Sequence, residues 1–301
     1  MSRQDRNTGE PPGRIARQGR LSVVLSTQPA RFEAVAFKGD FEGNLARIAG
    51  FGYDGVELAV REPALLDPED VWAKVTAAGL EVPAIGTGQA WGEEKLSFTD
   101  PSAHVRGAAI ARVKGHVPLA ARLNATIIIG LLRGIVQPGV DRDQAMDWLV
   151  SALQECCDAA GDAGVRLALE PINRYETTLI NTASQGLALL DAVGAANFGL
   201  LLDTFHMNIE EPSITDSIRQ AGDRIFHFHV ADSNRWHPGA GHLDFPAILR
   251  TLFATGYKGY VSGEFMPVPD AETAALHAIK HLHESGAVMI DKRDTSVAST
   301  V

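Results

Sequence analysis

Four short apolar runs in this 301-residue chain carry, at their ends, groups that a buried strand does not tolerate unpartnered. The runs are 166-RLALE-170, 198-FGLLLD-203, 225-IFHFHV-230 and 259-GYVSGE-264, and they present Glu170, Asp203, His229 and Glu264. Three carboxylates converging with one imidazole repel each other unless a cation lies between them. The set is rich in oxygen with a single nitrogen, which suits Mn²⁺, Mg²⁺ or Co²⁺ better than a sulfur-seeking ion. One acid at one strand end reads as a capped or ion-paired structural residue. Four at four consecutive ends read as a metal site. Glu57, in the earlier run 55-GVELA-59, stays open between a partner of these ligands and a structural acid. His227 alternates with His229 and points to the same side, but by itself it reads as a packed core histidine.

Elements must bring those ends together. Besides the five runs named, 21-LSVVLS-26, 82-VPAIG-86 and 125-ATIIIG-130 are short and almost continuously apolar. That is the pattern of parallel strands covered on both faces. Between the runs lie amphipathic stretches near 41–51, 68–79, 102–122, 141–163, 183–194, 213–221, 244–254 and 271–285. Caps precede three of them, at Asp100-Pro101, Thr182 and Asp244. Eight strand–helix units predict an α/β fold, a (β/α)₈ TIM barrel, whose chemistry gathers at the C-terminal strand ends. An open doubly wound sheet is the alternative, but 22-SVVLSTQPA-30 lacks its glycine-rich turn. The predicted organisation is a disordered leader over 1–20, one catalytic barrel over 21–286 and a loose tail over 287–301.

Composition excludes other classes. A net charge of −10 argues against nucleic acid as a partner. No apolar stretch of about 20 residues predicts a membrane span. The leader's Arg3, Arg6, Arg14, Arg17 and Arg20 precede no apolar run, so it does not read as a secretory signal. The two cysteines, Cys156 and Cys157, are adjacent and form no disulfide framework, which fits a reducing, cytoplasmic setting.

The loops after the ligand-bearing strands are polar, and there the chain becomes familiar. On 36-AFKGD-40, 84-AIGTGQA-90, 170-EPINRYET-177, 203-DTFHMNIEE-211 and 227-HFHVADSNRW-236 it resembles the ketose 3-epimerases. These belong to the xylose isomerase-like TIM barrels and include D-tagatose, D-allulose and 5-keto-L-gluconate epimerases, the last resembling it most. The likeness runs from about Leu21 to His283. It implies that Glu170, Asp203, His229 and Glu264 bind one divalent cation, with Mn²⁺ expected first. It also implies that Glu176, His206 and Arg235 hold the keto end of a ketose or keto-sugar acid, and that the enzyme is a homodimer or homotetramer.

A ketone polarised by a cation acidifies the adjacent carbon. Glu170 and Glu264 are then the expected acid/base pair, exchanging the carbon-3 proton through a cis-enediolate. A keto-sugar acid needs a cation for its carboxylate, and Lys38, Arg61 and Arg133 lie just beyond strand ends as candidates. Trp91 and Trp236 are candidate pocket walls. Rival readings on this scaffold are an aldose–ketose or hydroxypyruvate isomerase and an inosose dehydratase. A DNA-repair endonuclease would need more histidines and a positive face. A non-catalytic sugar-binding protein would have no use for both glutamates.

Overall fold

In the computed structural model, which describes residues 19–287, the eight apolar runs form eight parallel strands. These are β1 (Arg20–Ser26), β2 (Gly55–Ala59), β3 (Ala84–Gly86), β4 (Thr126–Ile129), β5 (Leu167–Leu169), β6 (Phe198–Asp203), β7 (Ile225–Val230) and β8 (Tyr260–Gly263). Each pairs with its successor, and β8 pairs with β1 from Arg20↔Tyr260 to Val23↔Gly263. That last ladder closes the ring and excludes the open sheet. The strands alternate with α1 (Phe41–Gly50), α2 (Pro68–Ala77), α3 (Ala103–Leu123), α4 (Arg142–Gly161), α5 (Ala183–Val193), α6 (Ile214–Ala221), α7 (Phe245–Ala254) and α8 (Ala271–Leu282).

Strand side chains alternate between two apolar compartments, which is why the runs are nearly continuously hydrophobic. Outward residues such as Val23, Val56, Ile127, Leu167 and Leu200 join helix residues such as Ile48, Val75 and Leu149 in the main core. Inward, Ala84, Ile128, Ala168 and Leu201 pack together with Phe226 against them. The Phe226 ring lies 2.4 Å from where a Cβ on Gly199 would stand, so only glycine fits beside it.

Helix starts follow local chemistry. Thr182 and Gln185 form a capping box on α5, and the Asp244 side chain accepts from Ala247 N on α7. Asp100-Pro101 does not cap α3. Asp100 Oδ1 instead accepts from Ser102 N in a local turn, and Ser102 takes the cap position. The predicted leader also ends earlier than residue 20. Arg20 opens β1, pairs with Glu81 at 2.7 Å and lies over the Tyr260 ring. Ala287 still belongs to the final helical turn, His283–Ala287. The rest of the expected leader and tail lies outside the described residues. Among the described residues, no helix is long and apolar enough to cross a membrane.

Two short helices went unread in the sequence, Gln89–Glu94 after β3 and Thr204–Glu210 after β6. Both sit at the C-terminal strand ends, where they complete the mouth of the barrel.

Candidate metal centre

The ring places Asp203 opposite His229 in the β6–β7 register, with Glu170 following β5 and Glu264 following β8. One ligand atom from each of the four falls within 4.8 Å of all the others. His229 Nδ1 is 3.9 Å from Glu170 Oε1, 4.0 Å from Asp203 Oδ2 and 3.9 Å from Glu264 Oε2. Glu170 Oε1, Asp203 Oδ2 and His229 Nδ1 are buried and accept or donate no hydrogen bond. Orphaned buried polar atoms of this kind are rare because each forfeits its hydration. Three of them facing one point, all oxygen or imidazole nitrogen, fit a divalent cation of the Mn²⁺, Mg²⁺ or Co²⁺ type.

Asp203 and His229 are already held at their other ends. Asp203 Oδ1 accepts from Phe205 N and so starts the Thr204–Glu210 helix, leaving Oδ2 for the site. Gly130 makes room for Glu170, since a Cβ there would stand 3.1 Å from Glu170 Oε2. Glu57 resolves as a partner of the ligands. Its carboxylate meets His229 Nε2 at 2.9 and 3.0 Å and His227 Nε2 at 2.8 Å. A carboxylate only accepts, so His229 carries a proton on Nε2, which leaves Nδ1 as the nitrogen that can bind a cation. Glu57, His227 and His229 also converge, but hydrogen bonds already fill the space between them.

His206 comes from the Thr204–Glu210 helix. Its Nδ1 lies 2.8 Å from Asn173 Nδ2, whose other hydrogen goes to Glu176 Oε1 at 2.8 Å. Tyr175 N donates to Asn173 Oδ1, which fixes the amide's orientation. His206 Nδ1 therefore accepts, and Nε2–H faces the cavity 3.6 Å from Glu170 Oε1. Burial first, then Arg235 and Arg133, hold this imidazole well below its usual range, so it is a neutral donor. Arg235, at φ +61°, bonds Glu176 at 2.9 Å and Glu264 at 3.3 Å across the mouth. Asn173 was missed in the sequence, although it sits within 170-EPINRYET-177.

Of the cations offered for a substrate carboxylate, none lines the cavity. Arg133 is fully buried and turned away from it, with Nε donating to Leu179 O, Nη2 to Ile180 O and Nη1 to Glu170 O. Ile180 is held at φ +55°, a costly conformation for a β-branched residue that this clamp sustains. Lys38 is exposed and donates to Phe32 O at 2.5 Å. Arg61 Nε pairs with Glu94 at 3.7 Å. Trp91 and Trp236 stand outside the cavity too, Trp236 being 40% exposed. The cavity itself holds about 480 Å³ and takes in Glu170, Glu176, His206, His229, Arg235 and Glu264.

Burial drives the charge state of this cluster. Burial, then Glu264, pushes the Glu170 carboxyl well above the usual range, and burial brings Glu264 up to about 7. Burial pulls His229 down, but Glu57 and then the site carboxylates outweigh it and raise it to about 10. A raised carboxyl favours the folded state while protonated. Without a cation, then, Glu264 contributes stability below its ordinary value of 4.5 that is lost as pH climbs to about 7. A bound cation offsets that loss by compensating the charge of the deprotonated carboxyls. Thermal melts with EDTA and with Mn²⁺ are expected to diverge with rising pH, the gap being wider at pH 8 than at pH 5. A pH-independent gap counts against this account.

The sequence model of the family described as xylose isomerase-like TIM barrel matches residues 45–285. The chain is 36% identical over 255 residues to an L-ribulose 3-epimerase of Mesorhizobium japonicum, covering 83% of this chain and 81% of that one. It is 31% identical over 221 residues to a D-psicose 3-epimerase of Agrobacterium fabrum, covering 72% and 76%. Among solved structures, an L-ribulose 3-epimerase superposes with TM-score 0.77 at 27% identity, covering 89% of this chain and 95% of that one.

Proposed function

The chain belongs to the xylose isomerase-like TIM barrel family, and on that footing we propose that it is a ketose 3-epimerase using one divalent cation, Mn²⁺ first. The observation that carries this reading is the pair of carboxylates, Glu170 buried and Glu264 half-buried, facing one cavity from different strands. Each lies 3.9 Å from His229 Nδ1. Relatives named as L-ribulose and D-psicose 3-epimerases support the same reaction.

The cation, when bound by Glu170, Asp203, His229 and Glu264, supplies Lewis-acid polarisation of the ketose carbonyl. One glutamate takes the proton from carbon 3 and the other returns a proton to the opposite face. A positioned carboxyl can act as acid in one direction of that exchange and as base in the other. His206 Nε2–H and the Arg235 guanidinium donate to the oxygens that gain charge in the enediolate. Glu176 keeps Arg235 in place and orients a substrate hydroxyl.

The substrate is a neutral ketose, not a keto-sugar acid. Among the described residues lining the cavity, the arginine and lysine side chains are Arg31 and Arg235. Both already face carboxylates, Arg31 at 3.5 Å from Glu93. Incubation of the Mn²⁺-loaded protein with L-ribulose, D-psicose and a keto-sugar acid tests the reading. A carbon-3 epimer of a neutral ketose with no aldose is the expected product. An aldose product would assign an aldose–ketose isomerase instead.

A further inference from the structure

One buried polar atom in the same cavity belongs neither to the cation cluster nor to the groups around the reacting carbon. Gln89, 6% exposed, opens the Gln89–Glu94 helix and lines the cavity, and its Oε1 is buried without a hydrogen-bond partner. Its amide cannot simply be turned round. Gln89 Nε2 lies 3.0 Å from Ser26 Oγ, and Ser26 has one hydroxyl hydrogen, which it donates to Gln28 O at 2.6 Å. Towards Gln89, Ser26 must therefore accept, so the nitrogen faces Ser26 and the oxygen is the free atom. Gln28 is itself anchored, accepting from Arg61 N and Glu62 N and donating to Glu62 O. The chain Gln28–Ser26–Gln89 thus holds one unpaired acceptor beside the cavity in a fixed orientation.

Part of the cavity wall is apolar. Val24, Val35 and Ala59 form a small cluster on this side and line the cavity with Ile128. A locked, dry acceptor of this kind is paid for by whatever donor completes it. Position says which part of a ligand that is. In the closed ring, β3, which Gln89 follows, stands four strands from β7, which carries His229. A ketose with its carbonyl end at the β5–β8 carboxylates extends its far end towards β1–β4.

We infer that Gln89 is a specificity-determining residue: its Oε1 accepts the hydrogen of one hydroxyl beyond carbon 3 of the ketose. The inference rests on the ketose reading above. Ketoses carrying that hydroxyl are selected over deoxy analogues, because an analogue leaves Oε1 buried and unpaired. Ser26 acts only through Gln89, as a positioning residue.

The test uses D-psicose and a set of its analogues, each lacking one hydroxyl beyond carbon 3, with the Mn²⁺-loaded protein. Turnover and calorimetric binding are both measured. For the native protein, one analogue is expected to lose roughly 10- to 100-fold in kcat/KM, mostly through KM. Gln89→Met removes the acceptor at similar volume. It should bring D-psicose down to the level of that analogue and leave the analogue within about threefold of its native value. Ser26→Ala frees the amide to turn and should erase part of the discrimination without touching the cavity wall. Unchanged melting temperature and Mn²⁺ affinity exclude a folding defect in either variant. Discrimination that survives in Gln89→Met overturns the inference, as does a native protein indifferent to every deletion. If ketoses bind with this pattern but no carbon-3 epimer forms, the reaction is wrong and Gln89 stands. If no ketose binds, both fall.

Discussion

Changing Glu264 to Gln is expected to stop epimerisation while leaving carbon-3 proton exchange intact for one of the two epimers. Glu170→Gln should do the same for the other epimer. The expectation follows from two carboxyls reaching the site from different strands, Glu170 after β5 and Glu264 after β8. If each serves one face of carbon 3, removing either leaves a base for one configuration and no acid to complete the inversion. Loss of a positioned acid/base group lowers turnover by about 10²- to 10⁴-fold. Solvent-deuterium incorporation into each pure epimer, followed by NMR, separates exchange from inversion. Both glutamates also belong to the proposed cation site, so occupancy must be measured and saturated before rates are compared. Equal loss of exchange from both epimers at full occupancy would point to a single base. Undiminished epimerisation in either variant would sink the two-base account.

The second large effect is expected at a residue outside the set of four candidate ligands. Glu57 is 1% exposed, and its carboxylate accepts from the Nε2 atoms of both His227 and His229. Burial pushes this carboxyl up, but His229 and then His227 outweigh burial and hold it below the usual range. It therefore stays charged and holds a His229 proton on Nε2, so that Nδ1 is the nitrogen a cation takes. In Glu57→Gln the amide can present an N–H to His229 Nε2. The imidazole proton then moves to Nδ1, where the cation needs a lone pair. Mn²⁺ affinity should fall by about 10- to 100-fold, the usual consequence of altering the partner of a histidine ligand. Because substrate contacts are untouched, kcat and KM should return towards native values at saturating Mn²⁺. Native-like Mn²⁺ affinity in this variant would mean that Glu57 is no more than a core acid.

Much of this site is local in origin. Whether a strand ends on an acid, and which side alternating residues face, are properties of a few consecutive positions. Glu170, Asp203, His229 and Glu264 could therefore be picked out one strand at a time, and the eight-unit rhythm brought them to one mouth. Partnerships were another matter. Glu57 meets His227 and His229 across 170 and 172 residues, a contact made only by the curvature of the closed ring.

Arg133 shows the same limit from the other side. Its place just beyond β4 suggested a substrate cation, yet it turns inward and donates to the carbonyls of Glu170, Leu179 and Ile180, which converge there. Asn173 and Gln89 carry no charge, and nothing within their stretches singles them out. What marks them is the orientation of an amide among neighbours from distant segments. Sequence alone thus determined the barrel, its eight strands and the eight helices between them, and the acidic, oxygen-rich chemistry of its mouth. Tertiary structure decided which polar atoms are paired and which are left over. Periodicity is written in neighbouring residues, whereas hydrogen-bond satisfaction depends on three-dimensional closure.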